Sequence, residues 1–201
     1  MGLAYGYDIY LPPQNVARAL ANLAELAPPA EAALRPPLEL TLPGGDRLIL
    51  PFTSHFKSEP VDCSTSRTLD LDTSIMFGAD DVLREYAEAY GPEIDGDGRI
   101  QIGYVYLTIR FESFLHPRYA AMEFWAATSG MSRLFARSVR VREVFISLAA
   151  ASGGVCCLFD TGDGGPEQVC WLNGETTQEM VSGPRFPDSR ALVATWPAPD
   201  Q

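Results

Sequence analysis

The sequence predicts an α+β fold, a single domain in which several helices pack an antiparallel or mixed sheet. Segments that alternate with a period of two are interspersed with segments of helical period, so both kinds of element are present. Hairpins and helices follow one another in irregular order, without the regular strand-helix alternation of a doubly wound parallel sheet. Hydrophobic residues make up 46% of the 201 residues and charged residues 20%, the balance of a chain that buries a core.

Tyr5 to Leu11 alternates and is rich in aromatics, which predicts a strand, and Pro12-Pro13 closes it and presets the first turn of a helix. In that helix Val16, Leu20, Leu23 and Ala27 recur at helical spacing until Pro28-Pro29 stops the run. Leu38, Leu40 and Leu42, the turn Pro43-Gly44-Gly45-Asp46, and Leu48 and Leu50 predict a hairpin. From Thr53 to Arg67 periodicity is lost and polar residues collect, the signature of a long loop of the kind that carries binding residues.

Thr68 to Ile75 predicts a strand, and Asp80 to Tyr90 a helix with acids in its first turn and Gly91-Pro92 past its end. Ile100 to Glu112 is the longest strand candidate and is expected near the centre of the sheet. His116-Pro117 is expected to open a helix, interrupted at Ser129-Gly130 and continued from Met131 to Ala151 as the main packing helix. Val155 to Asp160 and Gln168 to Asn173 predict a second hairpin, and Ala191 to Trp196 an edge strand. Gly6-Tyr7 and Gly103-Tyr104 each open an aromatic strand expected to lead into a Pro-started helix, a faint repeat compatible with related halves 1–92 and 93–201.

Charge and cysteine usage narrow the function classes. A formal charge of -11 opposes binding of nucleic acid or an anionic membrane and favours basic or neutral partners. No basic residue precedes Arg18, so no secretory leader is expected. The uncharged run Val144 to Phe159 is shorter than the ~20 residues of a membrane helix. The expected setting is the cytoplasm, where Cys157 and Cys170, nearly opposite one another in the predicted hairpin, read as two buried thiols more readily than as a cross-strand disulfide.

No pattern in the chain amounts to a catalytic or metal signature, and no cofactor or metal is expected. Glu93 to Ile100 resembles a calcium loop in its alternating acids, but the register puts Tyr104 where the bidentate glutamate belongs, so a solvated turn is the expectation. Thr161 to Gly165 lacks the Lys-Ser/Thr ending of a phosphate loop and reads as a hairpin turn. His55, Asp62 and Cys63 share the polar loop and have the ingredients of a Cys-His nucleophilic site, though loop composition alone also accounts for them. His116 is expected to cap or orient the helix it precedes.

Two features suggest binding instead. Arg133, Arg137 and Arg140 form a basic stripe at helical spacing that could clamp an anion, or else a solvated face paired with the chain's own acids. Tyr104 and Tyr106 alternate with core residues and form, with Thr108 and Arg110, an aromatic face with a polar edge that suits a ligand or partner, extended by Tyr5 and Tyr7 if the first strand is a neighbour, or else a face buried beneath a helix. The expected function is therefore non-enzymatic binding of a protein partner or a small anionic or aromatic ligand, with a hydrolase acting through the 53–67 loop as the alternative.

Overall fold

In the computed structural model, which describes residues 2–28, 37–50, 59–162 and 164–198, the first strand becomes the middle of the molecule. β1 (Gly6–Leu11) lies between β7 (Ala120–Ala126) and β8 (Cys156–Asp160), antiparallel to both. β6 (Arg99–Arg110) and then β5 (Thr68–Gly78) extend the sheet on the β7 side. β9 (Gln168–Leu172) and β10 (Glu175–Thr176) extend it on the other, giving a seven-stranded antiparallel sheet in the order β10-β9-β8-β1-β7-β6-β5. A smaller sheet joins β2 (Leu38–Thr41) to β3 (Arg47–Leu50) as the expected hairpin and to β4 (Val61–Asp62) in parallel.

Helices cover one face of the large sheet. α1 (Val16–Ala24) follows a single 3-10 turn at Pro13–Asn15 and buries Val16, Ala19, Leu20 and Leu23, the stripe its period predicts. α2 (Asp81–Tyr90) starts on Asp80, which accepts a hydrogen bond from the Leu83 amide, and ends on Gly91 in the left-handed conformation. α3 (Ser129–Arg137) and α4 (Val139–Ala151) place Phe135 and Phe145 over β1. Phe145 stacks on Tyr7 at 4.5 Å and meets Phe124 at 5.1 Å and Phe135 at 5.5 Å. The Tyr7 hydroxyl, buried in this cluster, donates to the Phe135 carbonyl at 2.9 Å.

The C-terminal segment covers half of the opposite face. Val181, Phe186, Leu192 and Trp196, the latter two in and just after α5 (Ser189–Val193), pack on Tyr10, Tyr119, Ala121, Cys156 and Leu158. Among the described residues, no helix lies on the remaining half, over β6, β7 and the first residues of β1.

Four elements differ from expectation. Ala120–Ala126 is a strand where a helix was expected, because its Ala, Met and Glu residues favour helix locally while pairing with β1 and β6 satisfies both edges of its backbone. The packing helix is two helices: Ser138 adopts an extended conformation, ends α3 and caps α4 by accepting from the Val141 amide. Ala191 to Trp196 is α5 and a following turn, started by Asp188 accepting from the Ala191 amide, and is not an edge strand. The strand expected at Thr68 to Ile75 runs on to Gly78, past a bulge between Ser74 and Met76.

Opposite that bulge Gly103 has φ +130°, and a Cβ there would stand 2.9 Å from the Met131 sulfur. This irregularity shifts the alternation of β6, so that Ile100 and Ile102 face the core before it and Val105, Leu107 and Ile109 after it. The suggested repeat fails at its second half, since β6 leads through a turn into β7, and the one sheet draws strands from both 1–92 and 93–201.

Candidate functional site

The register of the sheet sets out the uncovered half face in cross-strand rows. One row runs Leu158, Asp8, Glu123, Thr108, Asp70, and the next runs Asp160, Gly6, Trp125, Tyr106 and Asp72, where Asp72 is buried and the open part of the face ends at Tyr106. Because neighbours in a row stand ~5 Å apart at their Cβ atoms, Asp8 and Glu123 are side by side. Asp160 and Glu167 also act electrostatically on Asp8.

Asp8 faces these groups from the central strand β1. Its Oδ1 is closed to solvent and accepts no hydrogen bond, while the residue as a whole keeps part of its surface open. Burial, followed by repulsion from Glu123, Asp160 and Glu167, holds the Asp8 carboxyl well above the usual range despite the opposing pull of Arg110. Burial and then Asp160 raise Glu167 in the same direction. Glu123 is satisfied: Arg110 Nε donates to its Oε1 at 2.6 Å, and the same guanidinium lies 4.5 Å over the Phe114 ring.

Aromatic residues stand beside the acids. Tyr104 and Tyr106 are 40% and 47% exposed, and Phe114, just past the end of β6, is 82% exposed. The Trp125 ring lies across Gly6, where a Cβ would come within 3.0 Å of it, and reaches toward Gly162. Glycine at position 6 thus leaves room for the Phe124 carbonyl, which a Cβ would meet at 2.6 Å, and for the indole. Among the described residues no group of three or more His, Cys, Asp or Glu side chains could hold a metal ion, the acids of this face included.

The other predicted residues lie elsewhere. Arg133 and Arg137 are exposed on α3, and Arg140 lies on α4 with its guanidinium 2.8 Å from Glu143, so the stripe is divided between two helices. These helices pack on the sheet face opposite Tyr104 and Tyr106, and the two features therefore form separate surfaces. Arg140 also lines a cleft of about 660 Å³ with Arg84, Glu25, Asp97 and Glu143, a wall of mixed charge over Leu26 and Val144.

His55 lies outside the described residues. Cys63 is buried in the core, whereas Asp62 is exposed and its Oδ1 accepts from the Ser64 amide at 2.8 Å, so these two side chains do not converge. His116 precedes no helix. Its Nδ1 accepts from the Arg118 amide and its carbonyl from the Ser113 hydroxyl, which ties the turn between β6 and β7.

No family model matches the chain, and no curated protein or solved structure matches it.

The remaining motifs serve the fold. Asp95 Oδ1 accepts from the Asp97 and Arg99 amides and its Oδ2 pairs with Arg99 Nε at 3.2 Å, so both oxygens are engaged in closing the turn before β6. All four cysteines are buried thiols outside any disulfide, and Cys157 stands opposite Trp171 rather than Cys170. Burial first, then neighbouring thiols and acids, pushes the Cys156 and Cys157 thiols up, and burial raises Cys170 to about 11.

The acid-aromatic face was not singled out from sequence, although two signals for it exist. Asp8 is a lone acid within an aromatic strand, and Glu123 and Trp125 alternate with Met122, Phe124 and Ala126 at period two.

Proposed function

We propose that this is a binding protein that docks a basic protein surface on the uncovered half face of its sheet. The observation that carries the reading is the joint exposure of Tyr104, Tyr106 and Phe114 beside Asp8, Glu123, Asp160 and Glu167. Aromatic side chains that present area without much conformational freedom are the common anchors of protein interfaces. Carboxylates around them attract a positively charged partner and repel an anionic one. A net charge of -11 favours the same class of partner over distance.

Photo-crosslinking separates this face from the helix face. Benzoylphenylalanine placed at Tyr104 is expected to trap one basic protein in cells, and the same probe at Arg137 is expected not to trap it. Equal trapping from both positions, or none from Tyr104, overturns the reading.

A further inference from the structure

Resting on that reading, the geometry points to a seat for a single arginine side chain of the partner, formed by Asp8 at the bottom, Asp160 and Glu167 at the rim and Trp125 as the platform. An acidic cluster alone would not justify a seat. The second observation is the Asp8 Oδ1 atom, which is removed from solvent and has no hydrogen-bond donor. A buried acceptor left unsatisfied is costly, and a donor brought by a ligand would relieve it once the carboxyl turns toward the open side.

The face already holds one arginine in this manner. Arg110 gives its Nε to Glu123 and spreads its guanidinium over Phe114, so one carboxylate and one ring are occupied from within the chain. On the other side of Glu123 the same pairing recurs without its cation: Asp8 and Asp160 beside Trp125, with Glu167 near. Among the described residues neither Asp8 nor Glu167 forms an ion pair, and Asp160 Oδ1 takes only the Gly162 amide. A guanidinium fits better than an ammonium because it is planar, presents paired donors to carboxylates and stacks on an aromatic face.

Seating a cation there changes the protonation of Asp8. The groups acting on Asp8 are Glu123 from β7, Asp160, Cys156 and Cys157 from β8, Glu167 ahead of β9, Tyr10 on its own strand and Arg110 from β6. Only Arg110 favours its ionised form, and in the free protein burial outweighs that pull. A second guanidinium against Asp8 adds a favourable charge and brings the carboxyl back toward its usual range, so a proton is released on binding at any pH that lies between the free and the bound value.

The test uses octa-arginine and octa-lysine as probes in titration calorimetry at low salt across pH 4 to 8, each in two buffers of different ionisation heat. Octa-arginine is expected to bind more tightly than octa-lysine and to release a proton. Asp8→Asn is expected to weaken octa-arginine about tenfold and abolish the proton release, and Glu167→Gln to weaken it less. Glu88→Gln, the same charge change on the exposed side of α2, is expected to leave it unchanged.

Equal weakening by Asp8→Asn and Glu88→Gln, or binding without proton release anywhere in that range, overturns the seat. Asp8→Asn replaces the carboxyl by a neutral amide of the same shape and removes the cost of burying a charge there, so loss of the fold is not the expected cause of weaker binding, and circular dichroism checks this. The two readings fail separately. A partner trapped at Tyr104 together with peptide binding indifferent to Asp8 removes the seat and leaves the docking face. Asp8-dependent peptide binding with nothing trapped at Tyr104 removes the protein partner and leaves the seat.

Discussion

On the helix side of the sheet Tyr7, Val105, Leu107 and Phe124 are wholly buried, whereas one residue further along the same strands Asp8, Tyr106 and Trp125 keep part of their surface open. The covered side is a packing problem, solved by aromatic rings that fill space between β1, α3 and α4. On the other side a carboxyl is held above its ordinary range and one of its oxygens lacks a partner, both of which cost stability. A hydrophobic residue at position 8 would avoid that cost. Residues that break a local rule without helping the fold are where function is to be sought. The contrast ties the covered side to stability and supports the proposal that the open side serves recognition.

The strongest way to break this contrast is to remove Phe145. Its ring contacts Tyr7, Phe77, Phe124 and Phe135, so Phe145→Ala leaves a cavity at the centre of the covered face. The expected loss is about 3–5 kcal/mol by urea denaturation. A loss below about 1 kcal/mol would show that the helices do not pack this face as described.

Asp80 tests how the helices are held in place over that face. Its Oδ1 caps α2 at Leu83 and its Oδ2 accepts from the Ser138 hydroxyl at 2.7 Å and the Arg140 amide at 3.3 Å, joining the starts of α2 and α4. Partial burial alone would raise this carboxyl, but the hydrogen bonds from Ser138, Leu83 and Arg140 outweigh it and the net shift is downward. Asp80→Ala is expected to cost about 2 kcal/mol. A depressed folded value means that the contribution is complete above the unfolded value near 3.8 and is lost as pH falls through the folded one. The gap between wild type and Asp80→Ala should accordingly narrow in acid, and a gap independent of pH would rule out the ionised cap.

Much of the covered face was legible in the sequence, because its elements are amphipathic and bounded by local signals. The period of α1, the acids and Gly91 around α2, and the hairpin at Pro43-Gly44-Gly45-Asp46 each declare themselves within a short window. β7 did not. It is flanked by strands on both edges, and buried Ala120, Ala121 and Met122 at its start blur the alternation that Glu123 and Trp125 display afterwards. Tyr104 and Tyr106 were legible as one face of β6, because it alternates over a long stretch past Gly103, but alternation alone does not tell an exposed face from one buried beneath a helix. The carboxyls that join them were not, since Asp8 and Glu123 are more than a hundred residues apart and only the register between β1 and β7 makes them neighbours.

Asp8 sharpens the comparison from the open side. A carboxyl raised on folding binds its proton more tightly in the folded state, so stability declines as pH rises from the unfolded value near 3.8 toward the folded one and levels off above it. Relative to Asp8→Asn, wild type is expected to lose about 1.4 kcal/mol per pH unit across that window. Glu167 titrates in the same direction in both proteins and largely cancels in the difference. Chemical denaturation of the pair from pH 4 to 8 measures it. Parallel curves would mean that Asp8 is solvated and that nothing distinguishes the open face energetically.

The smallest expected effect is the most discriminating. Tyr106 is 47% exposed and its cross-strand neighbours are Trp125 and Asp72, so truncation removes an aromatic contact worth a fraction of a kcal/mol without opening a cavity. Tyr106→Ala should change unfolding stability by less than about 1 kcal/mol, against several for Phe145→Ala, although both lose an aromatic ring. In an interface the same truncation has a different weight, because an anchor aromatic excludes water only once the partner is in place and can then carry 2 kcal/mol or more of binding. A partner trapped at Tyr104 should therefore bind Tyr106→Ala about thirtyfold more weakly, while the free protein melts almost as wild type does. If Tyr106→Ala instead destabilises the free protein as much as Phe145→Ala, the ring belongs to a covered face, and the contrast between the two sides of the sheet is lost.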